Sequence, residues 1–286
     1  MFRPHHLACV ALTACMAGPL DDTRVEELRV VSVEASPLEA DPLAEVAAYP
    51  GHERLDPARP LPKVAAHILD ETDSEEPWVA ATWACDLMGT YCWGPDSSSV
   101  TPIGTGLSNL WEAEWSPLPV VPYLAKESPV PLSVWTLVCH VDACPILSGP
   151  EDTLDVAELG DPTLTLDGAP LRGATLVRNT VWVGDGSDPL TNPTIQLLEP
   201  LPTQVKPEEE VVVVLVGEPG QSGATLAARG VTNGGGFGSL GETFVDNEVE
   251  LTWYAPTEPG LYGLWLVGDE EGGGSATISA WIDVSG

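Results

Sequence analysis

Between Leu110 and Trp115 the chain alternates without a break: Trp111, Ala113 and Trp115 fall on one side, Glu112 and Glu114 on the other. A period of two is what an extended strand needs when one face is packed and the other is wet. Runs of β-type composition recur along the rest of the chain. They are Val25–Ala35, Lys63–Leu69, Trp78–Cys85, Val130–Val141, Ala174–Val183, Thr194–Leu198, Glu210–Val216, Glu248–Tyr254, Leu261–Val267 and Ala276–Val284. Within Val130–Val141, Trp135, Leu137 and Cys139 share a face. Val211–Leu215 is continuously apolar, which predicts a central strand buried on both faces. No long stretch carries helical periodicity, and 28 glycines and 28 prolines punctuate the runs. The expected class is all-β, with strands at the spacing of β-sandwiches.

A length of 286 residues leaves room for about two domains. Leu38–Pro62 holds five prolines and reads as an irregular crossing with one helical turn at Leu43–Ala48. Asp86–Ser108 is a Gly-, Ser- and Pro-bearing loop that carries Cys92 and Trp93. The acidic stretch Ser148–Asp161 suggests a boundary, giving a first sandwich over 25–150, a linker over 151–173 and a second sandwich over 174–286. Gly217–Gly241, long and glycine-rich, predicts a mobile or inserted loop.

The first residues carry a different signal. Arg3, His5 and His6 precede a short apolar run that ends in Leu12-Thr13-Ala14-Cys15. Small residues ahead of a cysteine at the end of an apolar segment resemble a bacterial lipobox, with Cys15 the lipidated first residue of the mature protein. The run is too short to span a bilayer, which needs about 20 apolar residues. The expectation is a signal peptide over 1–14 and a tether over 15–24. Met16 stands where an inner-membrane retention signal would place aspartate, so the expected location is the outer membrane, on its periplasmic or surface-exposed side.

Charge narrows the partners. Lys and Arg total 11 against 43 Asp and Glu, a formal net charge of −32. Nucleic acid and anionic lipid surfaces would be repelled. The expected partners are the membrane, reached through the lipid at Cys15, and a protein or polysaccharide of the envelope. Beyond the signal region, Cys85, Cys92, Cys139 and Cys144 are an even set in a chain expected to meet an oxidising compartment, which predicts disulfides. Local pairing would join Cys85 to Cys92 and Cys139 to Cys144, with the crossed connectivities open. A zinc site helped by His140 is the rival, but neither cysteine spacing matches the tight two-residue pattern of structural zinc sites.

Catalytic chemistry finds no footing. Gly236-Phe237-Gly238-Ser239-Leu240-Gly241 satisfies G-x-G-x-x-G but lacks the strand before and helix after that a dinucleotide site needs. No G-x-S-x-G elbow, H-E-x-x-H helix or EF-hand loop occurs. No catalytic residue, metal or cofactor is expected, and the chain is read as a non-enzyme. Ten tryptophans against three Phe and five Tyr suggest that Trp replaces other aromatics in the cores. Trp83, Trp111, Trp115, Trp253 and Trp265 are assigned to cores from their strand positions. Trp93, beside Cys92 and Gly94, is the candidate ligand contact.

Two resemblances add to these readings. The segment LTWYAPTEPGLYGLWLVGDEEGGGSATISAWIDV looks like the last three strands of an immunoglobulin-like (Ig-like) or PKD-like domain. In it, Pro259, Gly260 and Tyr262 resemble a tyrosine corner, in which the phenol hydrogen-bonds back to the chain. The lipobox, the tether and VEELRVVSVEASPLEA, followed by Trp83-Ala84-Cys85, are similar to Ig-like surface lipoproteins of myxobacteria and related deltaproteobacteria. Leu38–Pro62 departs from that layout, where a short Pro-Gly turn is usual. The resemblance implies two Ig-like antiparallel β-sandwich domains acting as a structural or binding module (adhesion or envelope interaction) and implies no activity. A carbohydrate-binding module using exposed Trp is the alternative, with a secreted hydrolase behind it.

Overall fold

Strand propensity and turn chemistry set the elements, and the pairing of those strands sets two units. The computed structural model describes residues 29–36, 39–40, 63–69, 78–85, 92–93, 101–104, 108–114, 129–140, 155–156, 164–166, 169–170, 174–184 and 190–286. The described residues contain strands and no helix. None of their elements is a helix long and apolar enough to cross a membrane.

The N-terminal unit comprises β1 (Arg29–Ser36), β2 (Glu39–Ala40), β3 (Lys63–Leu69), β4 (Trp78–Cys85), β5 (Cys92–Trp93), β6 (Thr101–Gly104), β7 (Ser108–Glu114), β8 (Val130–His140), β9 (Asp155–Val156), β10 (Leu164–Leu166), β11 (Ala169–Pro170) and β12 (Ala174–Val183). One sheet runs β1-β3-β7, and a second runs β2-β12-β8-β4-β5 with β6 also on β4. A core of Val33, Ala35, Val64, Ala66 and Ile68 from the first sheet and Leu132, Val134, Val138, Val181 and Val183 from the second lies between them. That shared core makes the unit a sandwich. Trp111 of β7 stands opposite Ala66 in the register.

The C-terminal unit comprises β13 (Thr194–Leu197), β14 (Gln204–Val205), β15 (Glu210–Glu218), β16 (Leu226–Thr232), β17 (Gly236–Phe237), β18 (Glu242–Thr243), β19 (Glu248–Tyr254), β20 (Gly260–Glu270) and β21 (Ser275–Val284). Its sheets run β13-β15-β19-β17 and β14-β21-β20-β16-β18. Val211, Val213, Leu215, Phe237, Leu251 and Trp253 from one meet Leu264, Leu266, Ile282 and Val284 from the other. The described residues are all-β, two β-sandwiches in series.

Three expectations are corrected. First, Ala174–Val183 does not open the second sandwich: β12 pairs with β8 through ten register partners, Ala174↔Cys139 to Val183↔Val130. The N-terminal unit therefore runs to Val183, and the C-terminal sheets begin at Thr194. The span 151–173 holds the small sheet β11-β10-β9.

Second, Gly217–Gly241 is not an inserted loop. It contains β16, which pairs with β20 from Leu226↔Glu270 to Thr232↔Leu264. A Cβ at Gly230 would run into the Phe237 ring. Glycine here marks a close approach within a packed sheet. Likewise, in the G-x-G-x-x-G run, Gly236 and Phe237 pair with Tyr254 and Trp253.

Third, β15 is not buried on both faces. Val211, Val213 and Leu215 are buried, whereas Val212 is 56% exposed. Asp86–Ser108, read as loop, carries the short strands β5 and β6. The helical turn expected at Leu43–Ala48 lies outside the described residues, as do Cys15, Trp115 and Cys144.

Candidate functional site

A cleft lies where the two units meet, along the free edge of β1. Among the described residues, strand β1 pairs with β3 alone, so alternate residues turn their carbonyls away from the ladder. Side chains meet these carbonyls in order. Arg229 Nη2 donates to Val31 O. Asn179 Nδ2 and Ser275 Oγ both donate to Val33 O, at 2.6 and 2.8 Å. Asn192 Nδ2 donates to Ala35 O at 2.6 Å. Ser32 Oγ and Thr277 Oγ1 share a hydrogen bond of 2.6 Å across the same seam. Edge strands left bare invite pairing with other chains, and here fixed donors close the edge.

Beneath this polar row lies an apolar one. Val31 and Leu69 from the N-terminal unit are buried with Val231, Trp265 and Val267 from the C-terminal unit. Trp182 extends the contact by donating its indole N–H to Gly272 O at 2.9 Å. Positive φ at Gly273 (107°) turns the β20–β21 hairpin, and a Cβ there would press on the Thr180 carbonyl.

A cleft of about 460 Å³ opens beside the seam, lined by β1, β12, Arg229, Asp269 and Ser275. Its guanidinium is committed: Arg229 Nε donates to Asp269 Oδ2 at 2.8 Å while Nη2 holds Val31 O. The chemistry on offer is positioning. Among the described residues, no group of three or more His, Cys, Asp or Glu is arranged to hold a metal. Glu34 Oε1 lies 3.6 Å from His67 Nε2 and has no hydrogen-bond partner, and Asn192 Oδ1 is likewise unpaired.

Nearby, Glu270 is a buried carboxylate, 6% exposed. Its Oε2 accepts the Gly220 N–H at 3.0 Å and its Oε1 the Gln221 N–H at 2.8 Å. Burial raises its pKa above the ordinary carboxylate value, and the two N–H groups offset part of that rise. It pins the β15–β16 connection to the end of β20.

Of the residues singled out by sequence, Cys85 and Cys92 are direct register partners across β4 and β5. Cys139 stands opposite Val79 on one side and Ala174 on the other. Trp93 pairs with Ala84 at the end of the same sheet. The side chains of Trp83, Cys85, Cys92, Trp93, Trp111, Cys139 and His140 fall outside the described residues. Tyr262 donates its hydroxyl to Glu258 O at 3.0 Å, beside Pro259 and Gly260. Trp253 and Trp265 are buried, and the Trp253 N–H donates to Gly234 O at 3.1 Å. Trp281, which sequence reasoning passed over, is 44% exposed and meets Trp265 edge to face at 5.7 Å.

Arg229, Asp269, Glu270 and Ser275 were also missed. One signal for Arg229 stood in the open: it is the sole Lys or Arg from Pro207 to Gly286.

No protein family and no curated protein matches the chain. Among solved structures, the lipoprotein from Bacteroides thetaiotaomicron matches at 10% identity and TM-score 0.25, over 32% of this chain and 80% of that one. The D0-D1 domain of Intimin matches at 9% identity and TM-score 0.27, over 90% of this chain and 99% of that one. The I-band fragment I67-I69 from titin matches at 10% identity and TM-score 0.20, over 78% and 59%. At these values the likenesses support no argument about activity or partner.

Proposed function

We infer that this chain is a structural or binding module of the cell envelope, anchored to the outer membrane by lipid at Cys15 and holding two sandwiches as one rigid body. The seam carries the reading: a buried apolar row under a row of fixed hydrogen bonds favours a stiff spacer over two loosely tethered beads. The lipobox-like Leu12–Cys15 supports the anchor, and Met16 supports the outer membrane. The partner expected is a protein of the envelope. The myxobacterial lipoprotein resemblance agrees with this and adds no activity. Gly217–Gly241 contains β16 and does not serve as a loop for display to a partner.

The deciding experiment is the mass of the N-terminal peptide from membrane-fraction protein. A peptide beginning at Cys15 with diacylglycerol and acyl mass is expected. An intact Met1 in the soluble fraction overturns the anchor. A non-enzymatic role is tested by screening purified protein on ester, peptide and glycoside substrates, with no turnover expected.

A second reading, carbohydrate binding, is favoured by Trp281. On β21 its exposed indole is flanked by exposed Ser279 and Asp283, with exposed Leu261 opposite Asp283 on β20. An indole beside polar groups can stack a sugar ring. Tryptophan fluorescence that stays flat across a polysaccharide panel would remove this reading.

A further inference from the structure

β15 reads EVVVVLVGE, a sequence suited to a strand covered on both sides, yet one of its faces is open. The core takes Val211, Val213 and Leu215, which leaves Val212, Val214 and Val216 in line on the outer face. These three span two strand repeats, about 14 Å. The neighbouring strands frame them. On β19, Glu248, Glu250 and Thr252 stand opposite Val216, Val214 and Val212, and residues directly opposite share a face. On β13, Gln196 stands opposite Val216. Leu198, 49% exposed, hydrogen-bonds its N–H to the Val214 carbonyl. Glu210 and Glu218 close the two ends of the stripe.

The result is an aliphatic ridge bordered by four glutamates, and none of the residues named on this face is a cation. We propose that this face docks a cationic protein segment that presents an aliphatic ridge between lysine or arginine side chains. Three arguments select that occupant. An apolar stripe on an otherwise charged surface gains from being covered. Glu248 and Glu250 lie about 7 Å apart along β19, the repeat at which an extended partner places alternate side chains. A second copy would set glutamate against glutamate, and an anionic bilayer would be repelled, so both work against themselves. On the opposite sheet of this unit the seam with β1 covers Val231, Trp265 and Val267, whereas on the β15 face Val212 is 56% exposed.

This proposal rests on the binding-module reading and can fail alone, since the N-terminal mass is independent of it. The probe is a short labelled peptide alternating lysine and valine, titrated into the full chain and followed by fluorescence anisotropy. A peptide alternating lysine and serine keeps the charge and removes the ridge. Glu248→Lys with Glu250→Lys reverses the rim, and Val212→Asp breaks the ridge at an exposed position. Glu242→Lys with Glu271→Lys makes the same charge change at exposed sites elsewhere. Thermal unfolding of each variant confirms that it folds. The expected result is binding of the lysine–valine peptide that both face variants weaken about tenfold or more, with the control pair close to wild type and the lysine–serine peptide weaker throughout. The proposal is overturned if the lysine–valine peptide does not bind. It is equally overturned if the control pair weakens binding as much as the rim pair, or if the lysine–serine peptide binds as well. Either of those last results reports general attraction to a chain of charge −32.

Discussion

Glu270 shows how a single side chain can tie strand ends together at a cost. Its buried carboxylate is disfavoured by desolvation, while two backbone N–H groups depend on it. Because burial raises its folded pKa, the folded state holds the proton more tightly than the unfolded chain does. Its favourable contribution is therefore full below the ordinary carboxylate value and is lost as pH rises through the raised folded value. Glu270→Gln removes that titration while keeping one oxygen to accept from the loop. Chemical denaturation of both proteins across pH should show the wild type losing stability relative to the variant as pH rises through that window. Trp253 is a simpler case, fully buried with its N–H satisfied. Trp253→Ala should cost about 3–5 kcal/mol in the same assay.

Turns decide which strands become neighbours. Asp246 and Asn247 both have positive φ, 52° and 67°, between the paired residues Val245 and Glu248. That is the geometry of a type I′ hairpin, where Asn and Gly are favoured. Asn247→Val should destabilise by about 1–2 kcal/mol, while Asn247→Gly stays within about 0.5 kcal/mol of wild type; thermal melts separate the two. Tyr262→Phe, which removes the bond to Glu258 O, should cost about 1 kcal/mol. Legibility followed locality among these elements. β3, β4, β12 and β19 have the bounds their composition implies, since short β-branched and aromatic runs between turn residues suffice to define them. β16 was hidden because Ala227, Ala228 and Gly230 carry little strand propensity, and its strand state comes from pairing with β20 and packing under Phe237. The open face of β15 was hidden as well. An apolar run has the same sequence whether its second face meets a neighbour or water.

The seam makes a prediction about the molecule as a whole. Two sandwiches that share a buried row and a satisfied strand edge should unfold together, so calorimetry should give one transition with matching calorimetric and van't Hoff enthalpies. Trp265→Ala empties the largest side chain of that row and should split the transition in two. The N-terminal unit offers a cysteine pair to test. Cys85 and Cys92 are antiparallel register partners, which places their Cα atoms about 4.5–5.5 Å apart, inside the range of about 4.4–6.8 Å that a disulfide spans. A non-reducing peptide map should recover them joined. Separate peptides would leave the hairpin held by its ladder alone.

Composition and periodicity were enough for the all-β class and most strand positions, and the resemblance carried by Pro259, Gly260 and Tyr262 pointed to the tyrosine corner, because each depends on residues close in sequence. They misplaced the division between the units, since β12 is equally good as a first strand or a last one until β8 claims it. They also could not reach the clamp on β1, where Arg229 and Ser275 meet Val31 and Val33 from about two hundred positions away. Contacts of that separation leave no periodic trace in a chain. They exist because a strand edge with unpaired carbonyls must find donors somewhere, and the folded molecule brings the second unit to it.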